Sequence, residues 1–242
     1  EVLPDGNYLI HIDKGFRVIE PDGKLVFEFD SIDLGLGEIH HDITFTPDRT
    51  FIAIASKVVE LEAAWTQRPG VNKITTELLV EVDYTGDIVW VWDSLDHLDI
   101  NRIALEQARG PLGGGTYDWL HANGMQYFED DDSILLSLRS QSWVIKIDHA
   151  TGEVVWRLGW GGDFELSNRN PADQAVWFSA QHAPELHSDG TILIYDNGNE
   201  RAWTNELFSR AVIYQLDETT MTAHQTWQYE TDYYTDFVGD VD

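Results

Sequence analysis

The sequence repeats one pattern four times, in which short strand-like runs of apolar or alternating residues are separated by tight-turn residues. The last strand of each repeat carries a large aromatic residue, namely Phe27, Trp90, Trp156 and Trp227, and these are 63, 66 and 71 positions apart. Short antiparallel strands repeated at such a spacing are typical of β-propeller blades, which bury their faces against one another. The pattern predicts an all-β fold, a β-propeller of four-stranded antiparallel blades, with residues 1–242 as a single domain.

The number of repeats leaves two arrangements open for the ring. The chain is either a piece of a longer propeller, or residues 239–242 pair beside the first strand and close a four-bladed ring. We favour the interpretation as a piece of a longer propeller, because rings with few blades pack poorly. Two longer insertions, residues 57–76 and 94–118, are predicted to be loops or short helices on a rim, with a helical turn or two over residues 100–108.

The charge of the chain excludes several classes of partner. It has 43 acidic and 15 basic residues and a net charge of -28, so it repels nucleic acid phosphates and anionic membranes. This acidity favours a role in solubility, as in a saline habitat, over acidic patches that bind cations or a partner. The absence of Cys excludes disulfides and thiolate chemistry, and no apolar run is long enough to span a bilayer.

Histidines stand at the mouth of the first strand in three of the repeats. His41 and His182 lie nine residues before the start of the following strand, and His121 lies twelve before it because its acidic turn is longer. In a propeller the first strand of each blade lines the central channel. We therefore expect the three imidazoles to converge at one face of that channel.

The return strands bring further polar residues to the same end. Asn197 is predicted beside His182 and Arg139 beside His121, while Asn123 shares the face of His121 by strand alternation. One histidine at a strand end is usually a surface or hydrogen-bonded residue, but three in equivalent positions indicate function. Three histidines are also compatible with a metal, yet Arg139 would repel a cation. The group suits an oxyanion of the sulfate or phosphate type, and no metal or other cofactor is predicted.

A second motif, residues 148–156, resembles the tryptophan-docking turns of quinoprotein propellers. The alternative is a tight turn followed by a tryptophan that packs between blades. We favour the tight turn, because the carboxylate and asparagine ligands for a quinone-bound calcium ion are not evident.

Four segments together resemble the bacterial aryl sulfotransferases: residues 40–43, 118–123, 137–141 and 181–182. The resemblance implies a six-bladed propeller that is usually exported to the periplasm. It also implies transfer of a sulfuryl group from one phenol to another without the nucleotide sulfate donor, through a transiently sulfated channel histidine. The expected partners are an aryl sulfate and a phenol, and the expected location is periplasmic or extracellular.

By this resemblance His182 is the nucleophile and His41 assists it. The residues expected to hold the sulfuryl oxygens are His121, Asn123 and Arg139. Asn197 and Trp119 are the candidate substrate-binding residues, although core packing also accounts for a tryptophan at position 119. The alternatives are a non-enzymatic propeller that serves as a binding or structural module and, less favoured, a quinoprotein-type oxidoreductase.

Overall fold

The computed structural model describes residues 1–32, 36–61, 71–102, 104, 116–167, 177–201 and 207–241. Regular structure in these ranges is almost entirely β-strand. The one-turn helix α1 (Ser94–His97) follows Asp93, whose side chain accepts a hydrogen bond from the Leu95 N–H. The chain falls into two compact units, residues 1–101 with 111–118 and residues 102–110 with 119–242.

The first unit contains two antiparallel meanders. One sheet joins, in chain order, β1 (Tyr8–Ile12), β2 (Gly15–Ile19) and β3 (Leu25–Asp30). The other joins β4 (Ile39–Phe45), β5 (Phe51–Glu60), β6 (Lys73–Val82) and β7 (Ile88–Asp93), and the short β8 (Thr116–Asp118) pairs parallel with β6. Apolar residues at alternate strand positions face one core. At its centre the stacked rings of Phe27 and Phe51 lie 5.7 Å apart.

The second unit contains two further meanders. One joins β9 (Ala122–Phe128), β10 (Ser133–Leu138), β11 (Trp143–Asp148) and β12 (Val154–Gly159). The other joins β14 (His182–Leu186), β15 (Thr191–Asp196), β16 (Arg210–Asp217) and β17 (Thr222–Glu230), with β13 (Glu165–Ser167) parallel to β17. Their shared core includes Trp156, Phe178 and Tyr214.

These sheets confirm the propeller-type all-β fold predicted from the repeats. Phe27, Trp90, Trp156 and Trp227 lie on β3, β7, β12 and β17, the last meander strand of each sheet. Trp156 is fully buried, whereas Trp227 is 48% exposed. The repeat therefore marks the strand on which each aromatic residue lies, while its burial depends on what covers that face.

The prediction for the first insertion was wrong at its two ends. Residues 57–60 and 73–76 belong to β5 and β6, which form a ten-residue pair that reaches from Phe51↔Val82 to Glu60↔Lys73, while residues 62–70 lie outside the described residues. The β-branched residues in this stretch favour extended backbone. The second insertion begins with the short helix α1, and the helical turns predicted over residues 100–108 fall mostly outside the described residues.

The turn between β11 and β12 has the tight geometry that we favoured over a cofactor-docking motif. The Asp148 carboxylate accepts hydrogen bonds from the Thr151 backbone N–H at 2.8 Å and from its hydroxyl at 2.7 Å. Gly152 takes a positive φ of 75°, which glycine adopts without steric cost. Trp156 packs edge-on against Phe164 in the core. Within the described ranges, no helix is long and apolar enough to cross a bilayer.

Candidate active site

His182 opens β14 at an irregular point of its sheet. The register between β14 and β15 shifts between His182 and Glu185. The neighbouring Ala180 and Ala183 have positive φ angles of 52° and 45°, a region that residues with a Cβ rarely adopt. Bulges of this kind re-aim a side chain away from regular alternation, and here the irregular backbone sets the direction of the His182 imidazole.

His182 pairs with Asn197, as its position in the hairpin predicts. The imidazole Nδ1 and the Asn197 Oδ1 are 2.7 Å apart and buried. The Asn197 Nδ2 donates to the backbone carbonyls of Thr235 at 3.0 Å and Val238 at 2.9 Å. Because a carbonyl can only accept, this amide orientation presents Oδ1 to the ring. In the neutral ring, Nδ1 then carries the proton and Nε2 carries the lone pair.

Burial lowers the pKa of His182 below its usual value. The electrostatic effects of Arg139 and His121 lower it further, while the hydrogen bonds to Asn197 and to the Ala180 backbone act in the opposite direction. The net shift is downward, so the imidazole of His182 is neutral near pH 7. A neutral imidazole with a free lone pair on Nε2 is a competent nucleophile.

Arg139 and His121 lie side by side, as predicted. The Arg139 backbone N–H donates to the His121 carbonyl at 3.2 Å. Arg139 begins a 3-10 turn, Arg139–Gln141, at the end of β10, and His121 has a positive φ of 51° just before β9. The Arg139 guanidinium donates through Nη2 to the carbonyl of Asp236 at 2.7 Å, which anchors one edge of the planar group.

Asn123 braces the strand that carries His182. Its Nδ2 donates to the Gln181 carbonyl at 2.7 Å. Next to it, a Cβ added to Gly124 would lie 3.1 Å from the Pro184 side chain, so β9 and β14 approach each other closely. The hydrogen bond to the Gln181 carbonyl ties Asn123 on β9 to the residue directly before His182.

The two candidate substrate-binding residues differ from expectation in their surroundings. Trp119 is only 1% exposed, and its indole N–H donates to the Arg102 carbonyl at 3.2 Å. This burial favours packing over contact with a phenol. Asn197 has both ends of its amide bonded within the protein, so the structure favours positioning of His182 over contact with substrate.

His41 lies in the first unit, in a setting that corresponds to that of His182. Its φ is 58°, and the register of β4 against β5 shifts between Ile39 and Ile43 on either side of it. The pairing of β9 with β10 is also irregular, close to His121. The three histidines predicted from spacing therefore lie at irregular points of three different sheets, His41 and His182 within a strand and His121 just before one.

Sequence reasoning missed a buried ion cluster directly beside Asn197. The fully buried Asp196 accepts hydrogen bonds from Arg201 Nη1 at 2.6 Å and from Arg210 Nε at 2.7 Å, and its other oxygen accepts from the Ser179 N–H at 3.0 Å. Burial by itself raises the pKa of Asp196, but the two guanidinium groups hold it below its ordinary value. The sequence feature that could have indicated this cluster is an aspartate at the end of an apolar strand, in a chain with few basic residues.

The segment after β17 is a second feature that the sequence did not indicate. Besides the contacts with Asn197 and Arg139, the Asp236 carbonyl accepts from the Asn199 Nδ2 at 3.0 Å. The Tyr195 hydroxyl and the Thr235 hydroxyl are 2.9 Å apart. Backbone carbonyls of residues 235–238 thus orient several side chains around His182. Backbone contacts of this kind cannot be predicted from the pattern of side chains.

Comparison with known proteins agrees with this geometry. The model of the family described as arylsulfotransferase (ASST) matches residues 1–242. The chain belongs to the arylsulfotransferase family. This membership confirms the resemblance noted in the four sequence segments, and it favours that interpretation over the quinoprotein alternative. Among the described residues, no group of three or more His, Asp or Glu side chains is arranged to hold a metal ion.

Two named relatives in the family are arylsulfate sulfotransferases AssT. The protein from Escherichia coli O6:H1 is 28% identical over 259 residues, which cover 84% of this chain and 42% of that protein. The protein from Lelliottia amnigena is 28% identical over 205 residues, which cover 62% of this chain and 34% of that protein. The chain therefore spans less than half the length of the curated relatives that it matches.

Among solved structures, one crystal structure of a protein of unknown function from Bacteroides caccae matches with a TM-score of 0.53. The identity is 11%, and the match covers 95% of this chain and 65% of that one. At such low identity the likeness concerns the fold alone.

Proposed function

We propose that this chain contains the catalytic groups of an enzyme that transfers a sulfuryl group from an aryl sulfate to a phenolic acceptor. The transfer follows a ping-pong course through a sulfohistidine on His182. The observation that carries the proposal is the buried His182–Asn197 pair, with the Asn197 amide held by two backbone carbonyls. From the family relationship we also propose a periplasmic or extracellular location.

In the first half of the reaction, the lone pair on His182 Nε2 attacks the sulfur of the aryl sulfate. The S–N bond forms as the bond from sulfur to the aryl oxygen breaks, and the phenolate leaves. The ring becomes positively charged when sulfated on Nε2, and its Nδ1–H strengthens its hydrogen bond to the Asn197 Oδ1. In the second half, the oxygen of an acceptor phenol attacks the sulfur and restores the neutral imidazole.

The sulfuryl oxygens need fixed positive donors, because negative charge spreads over the peripheral oxygens in a loose transition state. Arg139 and His121 are the proposed donors, since both side chains already act electrostatically on His182. Arg139 is anchored by the Asp236 carbonyl, so little side-chain freedom is lost on binding. Asn123 supports the same arrangement by bracing the strand of His182.

His41 is the proposed acid–base residue for the phenol oxygens. It lies in residues 40–43, one of the segments that resemble the family, and occupies an irregular strand position like that of His182. In this role it gives a proton to the leaving phenolate and accepts one from the incoming phenol. Proton transfer by a positioned histidine contributes roughly 10²- to 10⁴-fold to a rate.

The test uses a chromogenic aryl sulfate with a phenol as acceptor. For a ping-pong reaction, we expect parallel lines in double-reciprocal plots of the initial rate when donor and acceptor concentrations are varied. When the acceptor is omitted, peptide mass spectrometry should detect one sulfuryl group on His182. Failure of the wild-type chain to turn over in any tested buffer would instead favour the non-enzymatic binding module.

Replacing Asn197 with alanine is expected to reduce kcat/KM by about 10- to 100-fold. The change removes the acceptor that selects the Nδ1–H tautomer, and a lost buried hydrogen bond costs about 1–3 kcal/mol. Steady-state kinetics measure the effect, and Asn101→Ala, an exposed asparagine at a turn, is the control. Equal activity of Asn197→Ala and wild type would remove the tautomer argument.

Replacing Arg139 with glutamine is expected to lower kcat by roughly 10²- to 10³-fold, the size of effect seen when one preorganised donor to a developing charge is lost. Arg17→Gln is the matched control, because the Arg17 side chain is exposed and forms its ion pair with the surface residue Glu28. The measurement is kcat at saturating aryl sulfate. A fall in the control of the same size would mean that net charge, and not the placed guanidinium, is responsible.

A further inference from the structure

In the first unit, the side chains of Glu77, His40 and His41 form a hydrogen-bonded series that ends at His41. The Glu77 Oε2 lies 2.9 Å from the His40 Nε2, and the His40 Nδ1 lies 2.7 Å from the His41 Nδ1. Glu77 is a carboxylate on β6 with only 1% exposure. The two rings meet almost at right angles, with an interplanar angle of 82°. His40 thus connects a buried acid to the proposed acid–base residue.

The contact between two Nδ1 atoms can form in two ways. Since a carboxylate only accepts, the His40 Nε2 carries a proton toward Glu77. If His40 is neutral, its Nδ1 is an acceptor, and His41 must carry its proton on Nδ1. If His40 is cationic, its Nδ1–H donates, and His41 carries its proton on Nε2. The charge on His40 therefore selects the tautomer of His41.

We propose that Glu77, His40 and His41 form a proton relay in which His40 stores the proton that sulfuryl transfer first consumes and later returns. This inference rests on the proposed function. His40 and Glu77 are positioning residues in it, because only His41 exchanges a proton with the phenol oxygen.

The proton balance of the relay closes over one catalytic cycle. When the phenolate leaves, the His41 Nε2–H bond breaks and the proton goes to the phenolate oxygen. The His40 Nδ1–H proton moves to the His41 Nδ1, which leaves His40 neutral and still bonded to Glu77. When the acceptor phenol attacks, its proton goes to the His41 Nε2, and the His41 Nδ1 proton returns to His40.

The groups that face His40 favour this storage role. Glu77 faces it from β6, Asp118 from β8 and Glu38 from the residue before β4, with His41 as its chain neighbour. Burial by itself lowers the pKa of His40, but the hydrogen bond and charge of Glu77, with the charges of Asp118 and Glu38, reverse the sign and raise it. His40 therefore keeps its proton at a pH where an ordinary histidine has begun to lose it.

The direct test is the nitrogen NMR of the whole chain labelled with ¹⁵N-histidine, without substrate. We expect the proton of His41 to move from Nε2 to Nδ1 as pH rises. The midpoint of this change should coincide with the pH at which His40 loses its charge. A His41 tautomer that stays the same while His40 titrates would overturn the relay. Because this test needs no turnover, it separates failure of the relay from failure of the proposed function.

The kinetic test is the pH profile of the first half-reaction, measured as a single-turnover release of phenol. It should rise through the lowered pKa of His182 and fall through the raised pKa of His40. Replacing Glu77 with glutamine keeps a hydrogen-bond acceptor but removes the charge. Loss of an adjacent opposite charge shifts a pKa by roughly 1–2 units. We therefore expect the falling limb, which reports His40, to move to lower pH by about that amount, while the rising limb, which reports His182, stays in place.

The matched control is Glu81→Gln, a second buried carboxylate on the same strand, which accepts a hydrogen bond from the Thr50 hydroxyl. The control is expected to leave both limbs in place. Equal movement of the falling limb in the two variants, or no movement in Glu77→Gln, would overturn the relay.

Discussion

Replacing His182 with alanine is expected to lower sulfuryl transfer by roughly 10⁵- to 10⁶-fold, which is the scale of loss when a covalent nucleophile is removed. The mechanism assigns the S–N bond to Nε2 of this one side chain. Arg139 and His121 could still bind the sulfate but would have no group to which it could be transferred. The variant should therefore bind aryl sulfate and release no phenol.

The fold should survive this substitution. The His182 ring is hydrogen-bonded to Asn197, and leaving that amide oxygen without a partner costs about 1–3 kcal/mol. The measurements are single-turnover phenol release, mass spectrometry for the sulfated peptide, and a thermal melt to verify folding. His187→Ala is the control, because His187 is exposed in the turn of the same hairpin.

Two results would contradict the assignment. One is a sulfuryl adduct that persists in His182→Ala on another residue, with turnover near the wild-type rate. The other is loss of turnover in His187→Ala to the same extent as in His182→Ala, which would indicate a general effect on the hairpin.

The largest expected effect on stability is that of Asp196→Asn. The substitution leaves Arg201 and Arg210 buried without their shared carboxylate. Removing one partner of a buried ion pair typically costs about 3–5 kcal/mol. For a chain of this size, we expect the thermal midpoint to fall by roughly 6–20 °C.

The pH dependence of stability provides an independent test. Because the folded-state pKa of Asp196 is lowered, its contribution is present above the unfolded pKa, near 3.9, and is lost as pH falls through the folded value. The wild-type chain should therefore lose more of its free energy of unfolding over this acid window than Asp196→Asn. Urea unfolding at several pH values measures the difference.

Asp130→Asn is the control for this charge change, because Asp130 is exposed in the turn between β9 and β10. It should change the midpoint by little. A stability of Asp196→Asn equal to that of the control would mean that the two guanidinium groups find sufficient partners without the carboxylate. It would also remove the cluster as a support for Asn197.

Some of the site was predictable because it depends on local register. His182 and Asn197 lie on the two strands of one hairpin, and side-chain alternation with a short turn brings their ends together. The same reasoning placed Arg139 beside His121, where the backbone hydrogen bond between them confirms it. The strand periodicity also predicted the sheets, apart from residues 57–60 and 73–76, which extend the pair of β5 and β6 but were interpreted as part of an insertion.

The positive φ angles at His41, His121, Ala180 and Ala183 were not predictable in the same way. These residues are not glycine, so no residue type marks the irregular backbone. The bulges form because the surrounding sheets satisfy the other strand hydrogen bonds, and that condition is a property of the whole sheet.

Local alternation by itself determined the all-β class, the aromatic outer strands and the meeting of His182 with Asn197. Only the tertiary structure decided which nitrogen of His182 has the lone pair, because that depends on carbonyls of Thr235 and Val238, about forty residues further along the chain. It likewise decided that Asp196 is ionised between two arginines and that Glu77 reaches His41 through His40. These contacts join residues far apart in sequence, and a pattern with a period of two residues carries no information about them.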